Sequence, residues 1–306
     1  MSIKSKILIT GGTGLLALNF YTALRDKYDV ILVLHKRIIK IDGATVCSFD
    51  LSSRTQIYKA LDIYSPVFVI HTAGLTSVEV CQKYPNLAHS INVRLAENVA
   101  AACKKFDVPF VHISTDHLFS GDCELLDEDA QVAPLNIYGE TKAEAEVRVA
   151  DAYPKALIIR TNFYGWGTSY RKSFSDRIIE NLRNHMPLTL FDDVYYTPIV
   201  IKDLAQAIVT LVFYNAYGIF NVVGDQRLTK YQFGLLVAKI FELDEHLLIR
   251  ESICNFPKLV NRPLDMSLSN KKISKFLGYD LGMVSKHLQT LKKQELQGLA
   301  LELRKL

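Results

Sequence analysis

The sequence predicts an α/β protein, a doubly wound parallel sheet followed by a smaller α-rich C-terminal lobe. Two observations carry that expectation. Short β-branched runs alternate with longer amphipathic stretches through the first half, the pattern of βαβ units. The runs are also apolar almost without interruption, as strands covered on both sheet faces must be.

Strands are expected at KILIT, VILVLH, TVCSF, VFVIHT, FVHIS and ALIIRT. Helices are expected between them at LLALNFYTALRDKY, at SRTQIYKALDIY with Ser52 as N-cap, at NLAHSINVRLAENVAAACKKF, and at the segment that opens NIYGETKAEAE. The sheet domain is placed at residues 1–165. Beyond Gly167 the alternation becomes irregular: a helix at SFSDRIIENLRNH, the segment LTLFDDVYYTPIV, a helix at DLAQAIVTLVFYN, a strand at IFNVVG, and helices from Thr229 onward. Residues 166–306 are therefore read as the lobe, with 199–224 returning a helix and a strand to the sheet.

The chain has 306 residues, 49% of them hydrophobic and 22% charged, enough for a sizeable core. It holds no apolar run long enough to span a bilayer, and the run after the N-terminal lysines is too short for a signal peptide, so a cytoplasmic address and no membrane partner are expected. A net charge of +4 gives no reason to expect nucleic acid. Five scattered cysteines without a Cys-x-x-Cys suggest neither a disulfide framework nor a zinc site, and no metal is expected.

KILITGGTGLLA sets a buried strand, then Gly11, Gly12, Thr13 and Gly14, then a helix starting near Leu15. Glycine lets the backbone turn tightly and approach a pyrophosphate, whose charge then meets free N–H groups at the helix N-terminus. Ala17 stands where a third glycine is often found. This is the context of a dinucleotide fingerprint and makes the expected sheet a Rossmann-type one. After the second strand, where an acid would bond the ribose of NAD, come His35, Lys36 and Arg37; they suit a 2′-phosphate, or an ordinary solvated loop. NADPH is thus favoured, with NADH left open. Asp50 and Leu51 follow the third strand, where the aspartate would meet adenine or cap the next helix.

Tyr138 and Lys142 are spaced i, i+4, on one helix face, where an ammonium can lower the pKa of a phenol. The plainer reading is a packed tyrosine and a solvated lysine. FVHISTDHLF places Ser114, Thr115 and Asp116 at the carboxyl end of a strand, the ligand-binding edge of open α/β sheets. Together these residues form a set: a hydroxyl for a carbonyl oxygen, an acid, and a cation.

The order of ITGGTGLLA, HTAG, SINV, HISTDHLF, YGETK, RTNFYG, YYTPIVIKDLA and RPLDMSLSNKKI resembles the extended short-chain dehydrogenase/reductases, and among them the dTDP-4-dehydrorhamnose reductases, nearly end to end. That resemblance implies NADPH-dependent reduction of a nucleotide-linked 4-keto-6-deoxysugar. Thr115 would polarise the keto oxygen, Tyr138 would donate the proton, and Lys142 would hold the nicotinamide ribose and lower the tyrosine pKa. It implies cofactor contacts from Gly11, Gly12, Thr13, Gly14 and Leu15, from Thr72, Ala73 and Gly74, and from Asn92, Arg160 and Asn162. Substrate contacts would come from Thr76, Asp116, His117, Asn162, Trp166, Thr197 and Arg262, the last meeting a nucleotide diphosphate. Trp166 would stack on a base or sit in the core.

The chain departs from the family pattern at His117, usually tyrosine, at Ser120, often acidic, and near Val78 and Glu79, where aspartate is usual. These positions fall around the sugar pocket and leave the sugar undefined. Two other readings stay open: an epimerase of the same fold, and a non-catalytic NADP-binding subunit resembling the methionine adenosyltransferase β subunit. Dehydration is disfavoured, because Thr115-Asp116-His117 lacks the glutamate of the dehydratases. A homodimer is left open by the long amphipathic C-terminal stretch.

Overall fold

The computed structural model describes residues 4–306. Its strands are β1 (Lys6–Thr10), β2 (Asp29–Leu34), β3 (Thr45–Ser48), β4 (Phe68–His71), β5 (Phe110–Ile113), β6 (Leu157–Arg160), β7 (Phe163–Tyr164), β8 (Leu188–Phe191), β9 (Tyr195–Tyr196), β10 (Ile199–Val200), β11 (Gly218–Asn221), β12 (Leu228–Thr229) and β13 (Leu248–Glu251). The helices are α1 (Leu15–Leu24), α2 (Arg54–Tyr64), α3 (Val78–Lys83), α4 (Pro85–His89), α5 (Leu95–Lys105), α6 (Ile137–Ala152), α7 (Phe174–Arg183), α8 (Ile201–Phe213), α9 (Lys230–Phe241), α10 (Lys271–Leu277), α11 (Val284–Leu296) and α12 (Leu299–Arg304).

Seven parallel strands form the central sheet in the order β11-β6-β5-β4-β1-β2-β3. Alternate residues of each strand face opposite ways, so Ile7 and Ile9 enter one apolar layer and Leu8 the other. The first layer includes Leu18 of α1 and Ile208 of α8; the second includes Ile57 of α2 and Val99 of α5. Burial on both faces is why the strands read as continuous apolar runs. The chain order reverses on either side of β1, and the carboxyl ends of β1, β4 and β5 meet at that switch point.

Three local details differ from the sequence expectation. The N-cap of α2 is Ser53, whose side chain accepts from Gln56 N–H, whereas Ser52 donates its hydroxyl to Asp50. Asp50 therefore organises its own turn, its carboxylate accepting from both Ser52 groups. The single helix expected over 86–106 is two, α4 and α5, joined by a π-helical turn at Ser90–Arg94. The wider turn carries Asn92, which is 1% exposed. The segment LTLFDDVYYTPIV becomes three short strands, which pair with β13, β12 and β7 to build the lobe. No described helix is long and apolar enough to cross a membrane.

Candidate active site

The loop from β1 into α1 approaches the neighbouring backbone closely. Gly11 has φ +69°, and a Cβ there would stand 2.8 Å from the Ala73 nitrogen, so only glycine fits. Gly12 N–H donates to Val33 at 2.9 Å and Gly14 N–H to Gly11 at 2.7 Å, closing the turn. Gly14 caps α1 with no side-chain hydrogen bond, leaving the N–H groups of the first turn, beside Thr13 and Leu15, without an acceptor among the described residues. His35, Lys36 and Arg37 stand exposed at the end of β2. The Arg37 guanidinium lies 3.9 Å from the centre of the Tyr170 ring, and the Tyr170 hydroxyl donates to the Thr13 carbonyl at 3.0 Å. A lobe residue thus straps the glycine loop.

The second wall follows β4. Thr72 donates its hydroxyl to Thr10 O at 2.7 Å, fixing the Ala73-Gly74 turn. Asn92 accepts from Leu75 N–H at 2.7 Å and donates to Leu75 O and to Thr141. Its amide is fully used in holding this loop, so it shapes the wall from behind and does not face the cleft.

At the end of β5, Thr115 donates to the Asp116 carboxylate at 3.2 Å, and Asn162 donates to the other Asp116 oxygen at 2.5 Å. Both Thr115 and Asp116 are buried. Asn136 caps α6 by accepting from Gly139 N–H at 3.0 Å. A Cβ on Gly139 would fall 2.4 Å from His117 O, so the glycine between Tyr138 and Lys142 lets the helix press against the β5 loop. That contact brings Tyr138 beside Thr115 and edge-on to the His117 ring at 5.5 Å.

Tyr138 and Lys142 do share the buried face of α6, yet Lys142 is directed to the sheet: its ammonium donates to Ile113 O at 2.7 Å and lies 3.2 Å from His112 Nε2. The expected depression of the tyrosine pKa is absent. Burial pushes the Tyr138 phenol well up, with the neighbouring Thr115 hydroxyl opposing. Burial also lowers the Lys142 ammonium to about 8, with Glu146 opposing. His112 is held well below its usual range by burial and by the adjacent ammonium, so it is a neutral acceptor.

Other expected site residues lie elsewhere. Arg160 points to the back of the sheet, where it pairs with Glu146 at 2.8 Å in a cavity of about 710 Å³ behind α6. A buried guanidinium must be paired, and its partner is not in the cleft. Trp166 is wholly buried, donates its indole N–H to Leu291 O at 3.0 Å and meets Phe241 edge-on; it fastens the C-terminal helices and has no face free for a base. Thr197 accepts from Leu268 N–H at 3.1 Å inside the lobe. Arg262 is ion-paired with Glu79 across the mouth of the cleft, and Arg171 donates to Thr76 at 2.8 Å.

Tyr170, Arg171 and Lys230 face this cleft without having been singled out from sequence. Lys230 carries the one readable signal, a cation at the first position of a helix, where the dipole disfavours it. No group of three or more His, Cys, Asp or Glu residues able to hold a metal occurs among the described residues.

Comparison with known proteins accords with this geometry. Residues 5–296 match the family model described as the RmlD substrate binding domain. A probable low-salt glycan biosynthesis reductase, Agl14, of Haloferax volcanii is 27% identical over 274 residues, 88% of this chain and 91% of its own. A dTDP-4-dehydrorhamnose reductase of Aggregatibacter actinomycetemcomitans is 24% identical over 290 residues, 90% of this chain and 94% of its own. Among solved structures, the dTDP-4-dehydrorhamnose reductase of Bacillus anthracis in complex with NADP superposes with a TM-score of 0.83 at 24% identity, covering 95% of this chain and all of that one. A fingerprint loop at the switch point, a Thr-Tyr-Lys set beside it and a family match over nearly the whole length lead to one conclusion: the chain belongs to the RmlD substrate-binding-domain family.

Proposed function

We propose that the protein is an NADPH-dependent reductase of a nucleotide-linked 4-keto-6-deoxysugar, acting in the cytoplasm. The observation that carries this reading is the meeting of Thr115, Tyr138 and Lys142 at the carboxyl end of β5, beside a glycine loop that no side chain caps. The names of the relatives support the reductase chemistry.

The residues present suit a phosphorylated dinucleotide. A Cβ at Gly11 would fill the approach to the Ala73 wall, the first turn of α1 offers free N–H groups, and Lys36 and Arg37 supply positive charge where a 2′-phosphate would sit. When bound, that cofactor supplies the hydride. Thr115 turns its hydroxyl proton from Asp116 to the keto oxygen and polarises the carbon. Tyr138 gives its proton to the oxygen as negative charge develops; its raised pKa keeps the phenol protonated until that moment. Lys142, ammonium below about pH 8, turns from Ile113 O to ribose hydroxyls and brings positive charge toward the phenolate. The lobe formed by residues 166–306, apart from 199–224, closes over the sugar, with Asp116 and His117 as its floor.

The test is turnover of NADPH by purified protein across dTDP-, GDP- and UDP-linked 4-keto-6-deoxysugars, with Tyr138→Phe as control. Oxidation lost in the variant is the expected result. Cofactor binding without oxidation on any substrate would overturn the reductase reading in favour of an epimerase or a binding subunit.

A further inference from the structure

Arg37 is exposed at the end of β2, yet its guanidinium is held in place. It lies over the Tyr170 ring, 3.9 Å from the ring centre, at the distance of a close cation–π contact. Among the described residues it makes neither a hydrogen bond nor an ion pair, so its N–H donors are all free. An arginine on a surface loop ordinarily samples many rotamers, and fixing one of them opposes association with an anion. The ring removes part of that opposition in advance.

The ring is itself anchored. Tyr170 lies in the turn between β7 and α7, in the C-terminal lobe. Thr168 N–H donates to Arg171 O at 2.9 Å and Arg171 N–H to the Thr168 hydroxyl at 3.0 Å, which closes the turn. Gly167 N–H donates to Asp176 at 2.7 Å, and a Cβ on Gly167 would fall 2.3 Å from Arg171 O, so the turn is pressed against the start of α7. From this base the two neighbouring side chains reach opposite walls of the cleft. The Tyr170 hydroxyl donates to Thr13 O in the glycine loop at 3.0 Å, and Arg171 donates to Thr76 beyond β4 at 2.8 Å. The same crossing that ties the lobe to both walls sets the ring beneath Arg37.

A guanidinium held over a ring keeps donors open to a phosphate in a fixed fork, which a point charge on a mobile stem does not offer. Resting on the NADPH-dependent reductase reading above, we propose that Tyr170 is a positioning residue for cofactor choice. Its ring presets Arg37 for a nucleoside 2′-phosphate, so a residue of the lobe sharpens the preference for NADPH over NADH. Tyr170 acts through Arg37 and does not itself touch the phosphate.

Dissociation constants of NADPH and NADH, read by nicotinamide fluorescence on the full chain, test this in wild type, Tyr170→Leu, Tyr170→Phe, Arg37→Ala and the double variant with Tyr170→Leu and Arg37→Ala. Tyr170→Leu should lower the preference for NADPH about 3- to 10-fold, the worth of an exposed cation–π contact together with the side-chain freedom regained, and leave NADH affinity within about 2-fold. Tyr170→Phe keeps the ring and loses only the Thr13 tether, so the preference should stay within about 2-fold of wild type. In the Arg37→Ala background, Tyr170→Leu should leave the preference unchanged, because a residue that acts through Arg37 has nothing left to position. Equal weakening of both dinucleotides by Tyr170→Leu would overturn the proposal and make Tyr170 a wall of the cleft. Effects that multiply in the double variant would overturn it as well, and so would loss of the preference in Tyr170→Phe. If Tyr170→Leu does not fold, Tyr170→Phe and Tyr170→Trp still decide, since each keeps a ring face and should keep the preference. Wild-type protein that binds NADH as tightly as NADPH overturns the cofactor reading beneath the proposal, a result read before any variant is made.

Discussion

The ammonium of Lys142 lies 3.2 Å from Nε2 of His112, a neutral imidazole buried in β5. Burial brings the lysine down to about 8, with the Glu146 carboxylate opposing. The group is charged below that value and neutral above it. NADPH affinity should therefore fall as pH rises through about 8. Removing the acceptor in His112→Leu should move that fall about one unit lower, whereas His112→Gln, which keeps an acceptor oxygen, should move it less. A fluorescence titration of NADPH binding against pH checks both.

The same shift has a consequence for stability. Lys142 in the unfolded chain keeps its proton to about 10.5, so between about 8 and 10.5 the unfolded state binds more protons than the folded one. The burden of burying this ammonium is full below pH 8 and eases across that window. The melting temperature of wild type relative to Lys142→Met should accordingly rise between pH 7 and pH 10, as measured by calorimetry.

Tyr138→Phe removes only the phenolic hydroxyl from a residue 9% exposed and packed against His117. Turnover should drop about 10²- to 10⁴-fold, the usual range for a lost general acid. NADPH affinity and melting temperature should stay close to wild type.

Arg37 stacks on Tyr170 and, in the function proposed above, meets the 2′-phosphate of NADPH. Arg37→Ala should weaken NADPH binding about 10- to 100-fold, the worth of a charge-assisted contact, and NADH binding little. Competition between the two dinucleotides reads the ratio.

Arg160→Met leaves Glu146 buried without its guanidinium. Stability should fall by about 3–5 kcal/mol. The specific activity of the folded fraction should be unchanged, a result that separates this pair from the cleft. Chemical denaturation and a standard turnover assay measure the two quantities.

Much of this protein was determined locally and is legible in the chain itself. The alternation of apolar runs set the parallel sheet, because strands covered on both faces have no polar option. Gly11 and Gly14 set the loop, because the conformation at Gly11 excludes a side chain. The i, i+4 spacing put Tyr138 and Lys142 on one face of α6 because helix geometry allows nothing else. What tertiary structure alone decided was direction and partnership. Arg160 and Asn162 are two residues apart, yet one turns back to Glu146 and the other forward to Asp116. Trp166 went to the core because α11 offered its indole a carbonyl, and Lys142 turned to His112 because neighbouring strands set that imidazole beneath it. Lys230, far along the chain, came over the Tyr196 ring only when α9 packed against β9. Spacing fixes which residues share a face of one element. Which charges meet across elements depends on burial and long-range packing, and no short stretch of sequence contains both partners.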